Sequence, residues 1–280
     1  MGDAAAKGET ATLVTTRFEL LFDRYLDPRS AIRQAICIRS DAGAVEGFDT
    51  CTGGIFLRPQ YDPARRVITY YQEDETVRLA PDTIYTVTIL APRDGGDLGV
   101  RAFDGAALEA SRTFLLRTVD APPTVPTDAP PALDAAACAT QDAAVLSVFA
   151  GKCAGCHTGS SARNGLALIN RAEVEQTAFE VAKQTQMGAN ADEAQANPAR
   201  FGADMPILAP GAPGSSYLLY KVLARVPVDA DTLAEGETDR LLGGLVVGAP
   251  MAPDEDYDPY TEDELLQLSS WVQQGAGCPP

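Results

Sequence analysis

Gly151-Lys152-Cys153-Ala154-Gly155-Cys156-His157 is the stretch on which the reading of this chain turns. Two cysteines three positions apart can each add to one vinyl group of a single heme, forming two thioethers. The histidine that follows directly then presents its imidazole to the iron from the proximal side. The spacing also suits half of a zinc site or a thioredoxin-like dithiol. A zinc site needs further ligands, and the only other nearby thiolates are Cys138 and Cys278. A redox dithiol sits in a βαβ setting, of which the surrounding residues give no sign. The pattern therefore predicts one covalently bound heme c, attached through Cys153 and Cys156 and ligated by His157.

Outward from the motif the sequence is helical in character. Residues 135–151 are alanine-rich and run into Gly151. Ser215 to Val226 reads as a helix with Ser215 as its N-cap. Thr261-Glu262-Asp263-Glu264 is a capping box, and Leu265, Leu268 and Val272 follow on one face with Trp271 beside them. Gly275 ends that helix. His157 is the only histidine, so two imidazoles of one molecule cannot ligate the iron. The sixth ligand is then methionine, lysine, water or nothing. Met187, Met205 and Met251 are the methionines besides Met1. Core filling is the common fate of such side chains. Proline neighbours argue against that fate for Met251 and, less strongly, for Met205 of Met205-Pro206.

Ala121-Pro122-Pro123-Thr124-Val125-Pro126-Thr127-Asp128-Ala129-Pro130-Pro131 divides the chain. Such a segment favours polyproline II, and at about 3.1 Å per residue it would span roughly 34 Å. Residues 121–131 are read as a linker between a domain at 10–120 and a domain at 132–280. The first half reads as strands. Phe18, Leu20 and Phe22 share one face, and Val67-Ile68-Thr69-Tyr70-Tyr71 and Ile84-Tyr85-Thr86-Val87-Thr88-Ile89 are β-branched and aromatic between turn residues. Short strands with turns between them suggest an antiparallel sandwich.

Composition bounds the function. Hydrophobic residues make up 45% and charged residues 22% of the 280, as in globular proteins, and no apolar run is long enough to span a bilayer. Of the net charge of −17, residues 122–280 carry −13, with 8 Lys and Arg against 21 Asp and Glu. That surface excludes nucleic acid as a partner and favours a basic protein, unless the charge serves solubility alone. The six cysteines leave four outside the motif, an even number that allows two disulfides in any of three pairings. Asp254-Glu255-Asp256-Tyr257-Asp258-Pro259-Tyr260-Thr261-Glu262-Asp263-Glu264 follows Met251 directly. It reads as a docking rim, a calcium site, or a solvated loop entering a helix whose dipole favours acidic residues.

Two resemblances follow from these residues. The heme motif, Ala144-Val145-Leu146-Ser147-Val148-Phe149 before it and Asn164-Gly165-Leu166-Ala167-Leu168 after it come first. Ala209-Pro210-Gly211-Ala212-Pro213-Gly214-Ser215-Ser216-Tyr217-Leu218, Gly248-Ala249-Pro250-Met251-Ala252-Pro253 and Leu265 to Ala276 complete the series. In that order they resemble a class I mono-heme cytochrome c with a long insertion between heme motif and axial methionine. The resemblance covers about residues 135–280. It implies an all-α fold whose first and last helices meet near the heme edge, Met251 as second axial ligand, and a Cys138–Cys278 bridge tying the ends. Relatives often place a proline soon after the motif, whose carbonyl orients the histidine. Here no proline lies between His157 and Asn197.

Leu79-Ala80-Pro81-Asp82-Thr83-Ile84-Tyr85-Thr86-Val87-Thr88 is similar to the turn-and-strand entry of immunoglobulin-like domains, where the tyrosine hydroxyl bonds back to upstream backbone. That implies an all-β immunoglobulin-like sandwich ahead of the cytochrome. Val87 stands where antibody domains carry their second cysteine, so Cys37 and Cys51 would form a local bridge.

Heme attachment of this kind resembles a process carried out beyond the cytoplasm, so the expected location is the periplasm or cell surface. Met1-Gly2-Asp3-Ala4-Ala5-Ala6 lacks the basic start and apolar core of a signal peptide, so that signal is expected to be missing from this sequence. The expected function is one-electron transfer to a redox partner, alone or within a larger redox complex, rather than enzymatic turnover. The rivals are a sensor or peroxidase-like enzyme with an open sixth position, and a surface interaction protein with a subsidiary heme domain.

Overall fold

The strands expected at 67–71 and 84–89 from β-branched and aromatic runs form, as does one at 18–21, where Phe18 and Leu20 share a face. In the computed structural model, which describes residues 10–13, 17–40, 51–72, 79–92, 98–119, 133–159, 162–179, 205–246, 249–251 and 258–278, seven strands are seen. They are β1 (Thr10–Leu13), β2 (Phe18–Leu21), β3 (Ile36–Arg39), β4 (Arg58–Asp62), β5 (Val67–Tyr71), β6 (Ile84–Ile89) and β7 (Arg112–Val119). One sheet has the order β1-β7-β6-β3 and the other β2-β5-β4. Ile36, Ile38, Tyr85, Val87 and Leu116 of the first sheet share a buried core with Leu20, Tyr61, Ile68 and Tyr70 of the second. Phe18 stacks on Tyr70 with ring centroids 5.1 Å apart. Cys37, between Ile36 and Ile38, points to the opposite side, as a period of two requires, and is bonded there to Cys51. Tyr85 accepts a hydrogen bond on its hydroxyl from the Ala80 N–H at 2.7 Å.

Five helices follow: α1 (Ala135–Lys152), α2 (Arg171–Thr177), α3 (Tyr217–Leu223), α4 (Glu237–Gly244) and α5 (Glu262–Gln273). Asp134 caps α1 by accepting from the Ala137 N–H at 2.8 Å. The capping box of α5 forms in both directions, with Thr261 Oγ1 accepting from the Glu264 N–H at 3.2 Å and Glu264 Oε2 from the Thr261 N–H at 2.7 Å. Helix α3 has Ser216 rather than Ser215 at its N-cap position and ends at Leu223 rather than Val226; Pro213–Ser215 forms a 3-10 turn, and Ser216 binds back to Ala209 and Ala212. Helices α1 and α5 meet through Phe149 and Trp271, edge to face at 6.0 Å. Trp271 Nε1 donates to Asp142 at 2.9 Å, and the Cys138–Cys278 disulfide closes the same junction.

The expected fold class, an all-β immunoglobulin-like sandwich followed by an all-α cytochrome c fold, is not what the chain adopts. Its secondary structure is mixed. Strand β1 joins β7 in parallel, two 3-10 turns (Pro28–Ser30 and Arg33–Ala35) break the strand region, and among the described residues no strand runs between β6 and β7. Among the described residues of the second half only α1 and α5 are long, and further 3-10 turns occur at Arg163–Gly165, Pro213–Ser215 and Ala230–Thr232. Pro28, Gly165, Pro213 and Gly214 lie within three of these turns and shorten the helical path there, since neither residue sustains a helix, whereas the parallel pairing of β1 has a long-range cause. The expected linker at 121–131 lies outside the described residues.

The chain divides into two compact units. The second joins Asp23–Tyr25 and Asp62–Arg66 to the chain from Ala132 to Pro280, and the rest forms the first. Within the second unit these short segments carry buried polar groups. Glu237, fully buried at the start of α4, accepts from Arg24 Nε at 2.9 Å, the Tyr25 N–H at 2.9 Å and Arg240 Nε at 2.8 Å. Arg66, left-handed at φ 53°, donates to the Val228 carbonyl at 2.6 Å, the Asp229 carbonyl at 3.1 Å and Thr232 Oγ1 at 2.6 Å. Asp62 accepts from Ser269 of α5 at 2.6 Å, and burial pushes its carboxyl pKa up. Glu237→Gln removes the charge that two guanidiniums share while keeping the volume. It is expected to cost about 2 to 3 kcal/mol in urea unfolding, and an unchanged midpoint would show that the cluster adds nothing to stability.

Candidate heme-attachment site

The motif is set by the end of α1. The Cys153 and Ala154 N–H groups both donate to the Phe149 carbonyl, at 2.8 and 3.1 Å. The Cys156 and His157 N–H groups both donate to the Cys153 carbonyl, at 3.1 and 2.9 Å. Two consecutive turns thus hold both cysteines and the histidine on one short stretch of backbone. A Cβ added at Gly155 would meet nothing within 4 Å, so the outer side of this turn is uncovered.

His157 is buried, and a second loop fixes its ring. Its Nδ1 lies 3.0 Å from the Leu166 carbonyl. A carbonyl only accepts, so Nδ1 carries the proton and Nε2 keeps the lone pair that a metal needs. Burial pushes the imidazole pKa down and so favours the neutral ring, against the opposite pull of the Leu166 carbonyl. Asn164 and Gly165 are left-handed at φ 56° and 73°, and their turn delivers the Leu166 carbonyl to the ring. The loop is further pinned by the Arg163 N–H on the Cys156 carbonyl at 2.9 Å and the Leu168 N–H on the His157 carbonyl at 2.9 Å. From α2, Thr177 Oγ1 accepts from the Ala167 N–H at 3.0 Å. A backbone carbonyl at residue 166 thus takes the place that the missing proline leaves open.

The other flank of the motif is the approach to α5. Tyr260 is buried, with its hydroxyl 3.2 Å from Cys153 Sγ. Burial raises the pKa of both groups, so both are protonated at neutral pH. Lys152 Nζ donates to Asp258 Oδ2 at 2.8 Å and to the Pro259 carbonyl at 2.7 Å, pairs with Glu264 Oε2 at 3.3 Å, and lies 5.9 Å from the centroid of the Tyr260 ring. Of the acidic run, Asp258 to Glu264 is thereby seen to pack on the motif, and Asp254 to Tyr257 lie outside the described residues.

Met251 is half-buried, and its N–H donates to the Lys221 carbonyl of α3 at 3.1 Å. Lys221 itself is buried, which pushes its ammonium pKa down to about 8. Met205 is buried beside residues that cross to α2 and α3, with the Tyr217 N–H on the Pro206 carbonyl and the Leu208 N–H on the Ala178 carbonyl. Met187 lies outside the described residues.

The donor set fits a heme c. Cys37 is bonded to Cys51 and Cys138 to Cys278, while Cys153 and Cys156 remain thiols. The second disulfide also removes the thiolates that a zinc site here would draw on. Cys153, Cys156 and His157 are the residues that would hold the group. Sequence reasoning missed the Leu166 carbonyl and Tyr260. A carbonyl has no residue signature, though Asn164-Gly165 signalled a turn at that point. Tyr260 stands immediately before the Thr261 cap, where a staple residue is common.

Scans against protein-family models, curated proteins and solved structures found no match to this chain.

Proposed function

We propose that the chain is a c-type cytochrome that carries single electrons and turns over no substrate. The observation that carries this reading is the state of the six cysteines. Four pair into disulfides, and the two left as thiols share one turn with a neutral, oriented imidazole. When bound, the heme supplies reversible one-electron chemistry at iron. The chain's own part is to attach it at Cys153 and Cys156 and to offer His157 Nε2 as axial ligand. The Leu166 carbonyl holds that ring in one tautomer and, by accepting from Nδ1–H, strengthens the nitrogen as a donor.

Met251 is proposed as the second axial ligand. Its loop precedes α5 in the order that the cytochrome resemblance implies, and the burial of Met205 agrees with core filling for that residue. The acidic character of residues 122–280 supports a redox partner with a basic docking surface. The two disulfides, together with heme attachment, support a place in the periplasm or at the cell surface. Among the described residues no helix is long and apolar enough to cross a membrane.

An optical spectrum of protein matured with heme-attachment machinery tests the reading. Low-spin oxidised and reduced forms that interconvert reversibly, without immediate change on adding cyanide or carbon monoxide, are expected. A high-spin form that binds either ligand at once would favour a sensor or enzyme with an open sixth position.

A further inference from the structure

We infer that Tyr260 is a positioning residue for the heme, acting through a hydrogen bond from its hydroxyl to the Cys153 sulfur of the thioether; this rests on the heme reading above. In the unattached chain either the thiol or the phenol can donate across the 3.2 Å between them. Attachment settles the direction, because a thioether sulfur carries no proton and only accepts. The phenol is buried and Cys153 Sγ is the partner its hydroxyl has. Without that acceptor the buried hydroxyl would be a donor left desolvated and unpaired.

The ring has little freedom to turn away. Tyr260 occupies the position before the Thr261 cap, and Leu265, four residues into α5, is fully buried as the staple arrangement requires. The peptide before it is held by Lys152 Nζ on the Pro259 carbonyl at 2.7 Å. Lys152 is in turn paired with Asp258 and Glu264 on either side of the tyrosine. The thioether sulfur is one bond from the carbon that joins the porphyrin edge. A donor on that sulfur withdraws electron density from the macrocycle and favours the reduced iron, so the hydroxyl contributes to the potential as well as to placement.

The test compares wild-type protein and Tyr260→Phe, both matured with heme. Intact mass comes first: a wild-type chain without heme would overturn the parent reading and this inference with it. Given heme in both, the expected results are a lower midpoint potential in Tyr260→Phe and a shifted C–S stretching band in its resonance Raman spectrum. In wild type that band should also shift when the protein is prepared in D2O, and in Tyr260→Phe it should not, which a purely packing role of the ring would not produce. A potential and a C–S band identical in the two proteins would overturn the inference while leaving the heme reading intact. Should Tyr260→Phe fail to accumulate, a wild-type C–S band insensitive to D2O overturns it alone.

Discussion

Met251→Ala is expected to remove the weak long-wavelength charge-transfer band of methionine–Fe(III) from the oxidised protein, to lower the midpoint potential, and to let cyanide bind without delay. Thioether sulfur is a soft ligand that favours Fe(II), and methionine–histidine ligation raises the potential of c-type hemes. With one histidine in the chain, no second imidazole can replace the lost sulfur. The effect is therefore larger than that of any substitution acting only on the heme surroundings. Met205→Ala should leave band, potential and ligand binding nearly unchanged, and cost stability as a cavity of about 2 to 5 kcal/mol in a buried site. Titration of potential and a near-infrared spectrum on both variants decide the matter. If Met205→Ala removes the band and Met251→Ala does not, the ligand is Met205.

Cys138→Ala with Cys278→Ala should give the largest loss of stability. The bridge joins residues 140 apart, and in the chain-entropy model a loop of that size contributes on the order of 5 kcal/mol by restricting the unfolded chain. The Cys37–Cys51 loop, with a separation of 14, contributes roughly 3 kcal/mol on the same reasoning. The longer bridge also closes the junction where Phe149 meets Trp271 and Trp271 donates to Asp142. Its loss should shift the guanidinium midpoint well beyond that of Cys37→Ala with Cys51→Ala. Equal midpoints for the two double variants would show that the helix contacts hold α1 and α5 together without it.

Local pattern made part of this structure legible in the sequence. The β-branched and aromatic runs at 67–71 and 84–89, the capping box at 261–264 and the alanine-rich run ending at Gly151 each form as written, because the information lies within a few residues. The pairings Cys37–Cys51 and Cys138–Cys278 also form. The fold class did not follow, for reasons that are long-range. Nothing in Thr10–Leu13 shows that it will join β7 in parallel. Arg24, Asp62, Arg66 and Glu237 look like surface charges one at a time. Only the assembled second unit shows that Arg24 pairs with Glu237, that Asp62 accepts from Ser269, and that Arg66 serves the backbone carbonyls of Val228 and Asp229.

At the site the cysteine and histidine spacing was legible and the groups around it were not. Cys153, Cys156 and His157 are adjacent in sequence, so their chemistry is local. The Leu166 carbonyl depends on two left-handed residues, Asn164 and Gly165, and Tyr260 reaches Cys153 from 107 residues away. Neither contact leaves a spacing that a reader of the chain could recognise.

The central claim is that one heme is bound covalently through Cys153 and Cys156. Intact mass under denaturing conditions, on protein exported and matured with heme-attachment machinery, tests it most directly. The account predicts the polypeptide mass plus one heme, lost from Cys153→Ala with Cys156→Ala. Recovery of the bare polypeptide mass from wild type would contradict it.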